Sequence, residues 1–237
     1  MLKLYPNKNK YNFEIPANIF QTWHTKSMPP NMVRALSLIK KFNPHFNHYL
    51  YDGEDCRNFI KNNFNQDVLN AYDSLIPAAY KADLWRYCIL YKYGGIYLDV
   101  KYMPVLGFRF INLLEKEHFC LDISNNNVYN AILVCKAGND KLMQAINKIV
   151  ENVQQKNYGE DSLDPTGPML LGRLFSREEK NNFDMKHSLI DNNMNNRIVI
   201  FNNYIILRSY PDYIKESSNF KKTEYYAVLW DRREIYR

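Results

Sequence analysis

Ala82-Asp83-Leu84-Trp85-Arg86-Tyr87, followed by Tyr93-Gly94-Gly95-Ile96-Tyr97-Leu98-Asp99, is the stretch whose reading decides the fold of this chain. Pro77 opens a helix that runs to about Tyr91. Gly94 and Gly95 stop it, because two residues without a Cβ let the backbone reverse into the next element. Ile96, Leu98 and Val100 then alternate with Tyr97, Asp99 and Lys101. That is the period of a strand, with the first three facing the core and the polar set on the other face. On the helix, Asp83, Arg86 and Tyr87 share one face, opposite a core stripe of Leu84, Cys88 and Tyr91. In an open α/β sheet, ligands bind beyond the carboxyl ends of strands, which is where Asp99 is expected. A guanidinium offers a planar fork to phosphate oxygens, and an aspartate accepts from sugar hydroxyls. Together they suit a nucleotide-sugar. Taken singly, Asp83 and Arg86 read first as a surface ion pair and Asp99 as a polar strand end; the ordered set of Asp-x-x-Arg, Gly-Gly, strand and Asp brings the two readings level.

The elements on either side fit a sheet with crossover helices. Ile15 to Thr25 reads as a first strand, and Pro29-Pro30 precede a helix with Met32, Val33, Leu36 and Ile39 on its apolar stripe. Phe46 to Tyr51 is a second strand, and Asp52 with Asp55 resembles a capping box. This β-α-β-α opening predicts an α/β fold with a mostly parallel central sheet. Phe119 to Ile123 and Ala131 to Cys135 are further strands. A helix beginning near Asn139 carries Leu142, Ile146, Ile149 and Val153. Tyr158 to Thr166 reads as loop, Gly167 to Phe175 as a short helix and Ser176 to Asn182 as a charged connection. Strand candidates in the tail are Ile198 to Phe201, Tyr204 to Leu207 and Tyr225 to Trp230. With neither an internal repeat nor a linker, the whole of 1–237 reads as one domain, 176–237 being an irregular C-terminal extension.

Bulk properties narrow the function. The 237 residues hold 31 basic and 25 acidic side chains, a net charge of +6, which favours anionic partners. The basic residues are scattered rather than gathered into a stripe with interleaved aromatics, so nucleic acid is not expected. Cys56, Cys88, Cys120 and Cys135 form no C-x-x-C pair and read as buried free thiols. The polar segment from Met1 to Asn12 is followed by no apolar signal region, and no run approaches the roughly 18 apolar residues of a membrane span. The expectation is a cytoplasmic protein. Its oligomeric state is left open.

The segment from Asp83 to Asp99 resembles the core of the glycosyltransferase family that carries the DXD sugar-binding motif. That family includes initiating α-1,6-mannosyltransferases and capsular polysaccharide synthesis proteins, and more distantly it is similar to the glucosylating domains of large clostridial toxins. Ile15-Pro16 through Gln21-Thr22-Trp23-His24 resembles the family's opening strand. Asn130-Ala131 with Lys136-Ala137-Gly138, and Thr166-Gly167-Pro168, resemble later family segments. About residues 15–175 are covered, with a weak echo at Tyr226 to Trp230.

The resemblance implies a GT-A fold and transfer of a sugar from a UDP- or GDP-sugar to a hydroxyl acceptor, usually with retention and with Mn2+ or Mg2+. It implies a catalytic set of Asp83, Arg86, Asp99, Lys101 and Asn130, with Asn130 near the anomeric carbon. The implied donor-binding set is Trp23, stacked on or edging the base, with Tyr87, Gly94, Gly95, Tyr97, Thr166, Gly167 and Trp230. One position departs from the pattern: the motif ends Asp99-Val100-Lys101, where the family has a second aspartate. A protonated lysine cannot ligate a cation and repels one nearby. Three readings stay open. Lys101 neutralises the diphosphate itself, or a metal is held by Asp99 and another acid such as Asp231, with Asp122, Asp161 and Asp164 in reserve, or catalysis is lost and binding kept.

Overall fold

A computed structural model describes residues 2–6, 8, 10–220 and 224–237. Strand β1 (Asn18–Thr22) leads to helix α1 (Pro30–Phe42), which starts on a proline and buries Met32, Ala35, Leu36 and Ile39. Val33, expected on that stripe, is 49% exposed, because Ala35 takes the inner position and turns Val33 outward. Strand β2 (Asn47–Tyr51) precedes α2 (Gly53–Asn63), where Asp52 and Asp55 complete both halves of the expected capping box. Helix α3 (Gln66–Ser74), capped by Asn65, was not anticipated from the sequence.

Helix α4 (Ala78–Tyr93) is buried continuously from Asp83 to Leu90, on its polar face as well as its apolar one. Strand β3 (Gly95–Leu98) follows and is buried on both faces, with Tyr97 in one core and Ile96 and Leu98 in the other. The polar side expected for this strand therefore faces protein rather than water. The chain turns at Val100-Lys101 into β4 (Tyr102–Pro104). It continues through β5 (His118–Leu121), β6 (Val128–Cys135) and α5 (Asp140–Gln154) to α6 (Pro168–Arg173).

The C-terminal quarter is not an irregular extension. Helix α7 (Arg177–Asn181) carries a Ser176/Glu179 capping box where a charged connection was expected. Strands β7 (Met185–Leu189), β8 (Arg197–Phe201) and β9 (Tyr204–Ser209) join the main sheet. Asn202 and Asn203, both at positive φ, make the two-residue turn between β8 and β9. Helices α8 (Tyr213–Phe220) and α9 (Tyr226–Asp231) close the chain. The apolar run from Tyr225 to Trp230 is thus helical, not a strand, since a short run of this kind fits either period.

The described strands form one sheet in the order β2-β1-β3-β6-β5-β7-β8-β9-β4. It is α/β as expected but mixed, not mostly parallel: β1 pairs parallel with β2 and β3, and β5 with β7, while the other neighbours run antiparallel. Hairpins join β5 to β6, β7 to β8 and β8 to β9, and hairpins enforce antiparallel pairing. Although β4 follows β3 directly, it pairs with β9 at the far end of the order. The intervening strands therefore curl, and the Tyr102 (β4) and Tyr129 (β6) hydroxyls meet at 2.7 Å. Among the described residues, no helix is long and apolar enough to cross a membrane.

Candidate active site

The glycine pair positions the site without entering it. Gly94 and Gly95 adopt φ of +62° and +122° at the start of β3, the opposite end from Asp99. A Cβ on Gly94 would lie 2.7 Å from the Ala137 amide nitrogen, and one on Gly95 would lie 2.8 Å from the Asn18 carbonyl oxygen. Their contacts are with the chain's own backbone, so the ligand-binding role expected of them is replaced by a folding one. Gly94→Ala should cost on the order of 1–3 kcal/mol, read as a lower denaturant midpoint, with substrate KM unchanged. A raised KM at parental stability would return Gly94 to the binding site.

At the carboxyl end of β3, four segments converge. From α4, the Asp83 carboxylate accepts from Asn130 Nδ2 (2.9 Å), Thr166 Oγ1 (2.8 Å) and Arg86 Nη2 (3.1 Å). Asn130 Nδ2 also donates to the Tyr87 hydroxyl (2.9 Å), and that hydroxyl donates to the Thr166 carbonyl (3.2 Å). Strand β6 begins at Val128, earlier than expected, so Asn130 stands inside the strand. Gly167 follows Thr166 closely enough that a Cβ would lie 3.3 Å from Asp83 Oδ2. Arg86 donates to the carbonyls of Asn130 (2.7 Å) and Ala82 (3.2 Å) and lies 4.3 Å over the Tyr97 ring. It also reaches Asp99 at 3.5 Å.

Asp99 accepts from the Tyr97 hydroxyl (2.7 Å) and from Lys101 (2.5 Å). Two carboxylates and two cations thus balance in one buried cluster. Burial pushes the Asp83 carboxyl up, and Arg86, Thr166 and Asn130 only partly offset it. Burial acts on Asp99 in the same sense, yet Lys101 and Arg86 outweigh it and hold that carboxyl below the usual range. Burial opposes the charge on Lys101, and Asp99 more than restores it. Of the four side chains Asp99 is the most open, at 22% against 7–11% for the others.

Several expected members stand elsewhere. Trp23, just beyond β1, is enclosed by Met32, Ala35, Leu36, Val100 and Tyr210 and donates to the Ser27 carbonyl (3.2 Å), so it offers no open stacking face. Trp230 donates to the Tyr158 carbonyl (2.7 Å) and stacks with Arg233. Asp231 is solvent-exposed at the end of α9. Its helix is tied to the cluster instead through Tyr226, which packs on Tyr80 and feels the charge of Asp83.

The divalent metal that the motif implies does not fit this donor set. Both Asp99 oxygens are engaged, one of them by an ammonium group. Asp122 is bound to His187 and Asp164 to Arg173, and Asp161 accepts from the Leu163 amide. Among the described residues, no three His, Cys, Asp or Glu side chains are placed to hold a cation.

Sequence reasoning missed the wall beyond Lys101, built from Tyr102, Tyr129, His187, Arg197 and Tyr213. His187, read as isolated, stacks on the Tyr129 ring at 3.7 Å and bonds Asp122 at 2.8 Å. Only the curl of the sheet brings these residues together. Nothing in their local sequence marks them.

A family profile described as a glycosyltransferase sugar-binding region containing the DXD motif matches residues 29–119. A glycosyltransferase of Acanthamoeba polyphaga mimivirus is 31% identical over 180 residues, 75% of this chain and 71% of that protein. The chain belongs to this glycosyltransferase family. Inositol phosphoceramide mannosyltransferase 3 of Schizosaccharomyces pombe is 38% identical over 98 residues, 41% of this chain and 26% of that protein. The initiation-specific alpha-1,6-mannosyltransferase of Candida albicans is 34% identical over 91 residues, 36% and 24% of the two chains. The chain spans about a quarter of the length of these two yeast glycosyltransferases. Among solved structures, PaToxG glycosyltransferase superposes with a TM-score of 0.56 at 18% identity, over 69% of each chain. That likeness is one of fold, and the α/β architecture is of the GT-A type.

Proposed function

We propose that this glycosyltransferase takes its sugar from a nucleotide-sugar, a UDP- or GDP-hexose, and passes it to a hydroxyl acceptor with retention of configuration. The supporting observation is the convergence of α4, β3, β6 and the Thr166-Gly167 turn on Asp83, Arg86, Asn130 and Asp99. Asp99, the most open acid, takes the ribose hydroxyls. Asp83 and Asn130, oriented by Thr166 and Tyr87, meet the sugar near its anomeric carbon. Arg86 and Lys101 supply positive charge where the departing diphosphate becomes negative. The anomeric C–O bond breaks with its electron pair on the β-phosphate oxygen. The acceptor oxygen bonds to the same face, and its proton passes to the phosphate. The whole chain acts as one unit, because β7, β8 and β9 complete the sheet that carries the site.

Binding to the native state alone raises its apparent stability by mass action, by about 2.7 kcal/mol at a hundredfold excess over Kd. A matched donor in a panel of UDP-, GDP- and CMP-sugars should therefore raise the melting temperature by roughly 5–10 °C. No shift with any donor, together with no donor hydrolysis, would remove the nucleotide-sugar reading. A shift without hydrolysis or transfer would favour binding without turnover, the reading that Lys101 left open.

A further inference from the structure

Asp99 already balances the charge of Lys101, and the wall behind it carries a further cation. The Lys101 ammonium lies 5.3 and 5.4 Å from the ring centroids of Tyr102 and Tyr129, inside the curl of the sheet. On that wall Arg197 opens β8. Its Nε donates to the Met194 carbonyl at 3.0 Å, and its guanidinium reaches the Tyr129 hydroxyl. Among the described residues no carboxylate stands within ion-pair distance of Arg197. Asp122, whose charge extends to it, is held by His187 and by the Ile123 amide. Arg197 is half-buried, so its guanidinium is neither fully solvated nor neutralised by an acid. Tyr102 pairs with Ser209 of β9, whose hydroxyl accepts from the Arg197 amide at 3.2 Å, so strand pairing sets Arg197 near the turn that carries Lys101. Tyr213 of α8 feels the charge of both.

We propose that Lys101 and Arg197 form a two-cation clamp for the donor's diphosphate and replace the divalent metal of the family, so that donor binding and transfer are metal-independent. This rests on the nucleotide-sugar reading above. Lys101 meets the diphosphate as a point charge, and Arg197 presents its planar fork to two phosphate oxygens. Lys101 immediately precedes β4, which pairs with β9, and β9 pairs in turn with β8, the strand that Arg197 opens. When the anomeric C–O bond breaks, its electron pair stays on the β-phosphate oxygen between them. The acceptor's proton then moves to the phosphate, and nucleoside diphosphate leaves with no further reactant.

The test is calorimetric binding of UDP and GDP, with uridine and guanosine as phosphate-free controls, in EDTA and in Mn2+. The 237-residue chain should bind one nucleoside diphosphate equally well in both conditions. Arg197→Gln should weaken that binding on the order of 10- to 100-fold and leave nucleoside binding unchanged. Arg197→Lys should recover part of the loss, which a merely structural role for the side chain would not produce. Binding that requires Mn2+, or an Arg197→Gln variant that binds diphosphate like the parent, overturns the clamp and leaves the donor reading intact. Failure of both nucleotides to bind in either condition overturns the donor reading, and the clamp with it.

Discussion

Replacing Arg86 with alanine is expected to remove about 3–5 kcal/mol of stability, seen as a fall in melting temperature of roughly 6–20 °C. The reason lies in what the guanidinium holds. It bonds two backbone carbonyls and two carboxylates and covers the Tyr97 ring, while itself almost fully buried. Without it, Asp83 and Asp99 remain buried with half their counter-charge gone, and the Asn130 carbonyl loses its donor. Arg86→Lys keeps the charge but loses the fork, and should fall between parent and alanine variant. Thermal and denaturant melts of the three proteins make the comparison. An alanine variant that melts with the parent would show that the cluster is held by something other than this side chain.

The second large effect is expected at Asp83, and it should appear in catalysis more than in stability. Asp83→Asn keeps the shape of the side chain while removing the charge and turning an amide donor toward Asn130 or Thr166, both of which already donate. Loss of charge-assisted bonds of this kind costs about 2–4 kcal/mol of donor or transition-state binding. That is a fall in kcat/KM of roughly 30- to 1000-fold. Burial already raises the Asp83 carboxyl, so neutralisation relieves part of its desolvation cost, and Arg86 keeps Asp99 as a partner. Turnover at the parental rate by a well-folded Asp83→Asn would remove Asp83 from the site. Together the two variants separate an effect on stability, expected at Arg86, from an effect on turnover, expected at Asp83.

Local rules made much of the first half of the fold legible. The Asp52/Asp55 capping box, the proline start of α1 and the glycine stop after α4 each depend on residues a few positions apart. The Asp83–Arg86–Tyr87 face follows from helical spacing in the same way. The Ser176/Glu179 box carried an equally local signal and marks a helix that a reading of 176–182 as a charged connection had missed, while the Asn202-Asn203 turn joins two strands that were expected at Ile198 to Phe201 and Tyr204 to Leu207.

By itself, then, the sequence determined the α/β class, the helix carrying Asp83 and Arg86, and the strand that delivers Asp99, because backbone periodicity and capping act within a few residues. Tertiary structure alone decided which groups surround those charges. Asn130 and Thr166 reach Asp83 from distant segments, while Trp23 and the two glycines fall to packing. Lys101 is where the two levels meet. The sequence showed that a lysine had replaced a carboxylate, but whether it was solvated or buried depended on the turn at Val100. The chain does turn there, and Lys101 is buried all the same, because β4 crosses to pair with β9 and draws the curled sheet around it. Strand pairing between residues far apart in sequence is set by the whole core, and no local pattern encodes it.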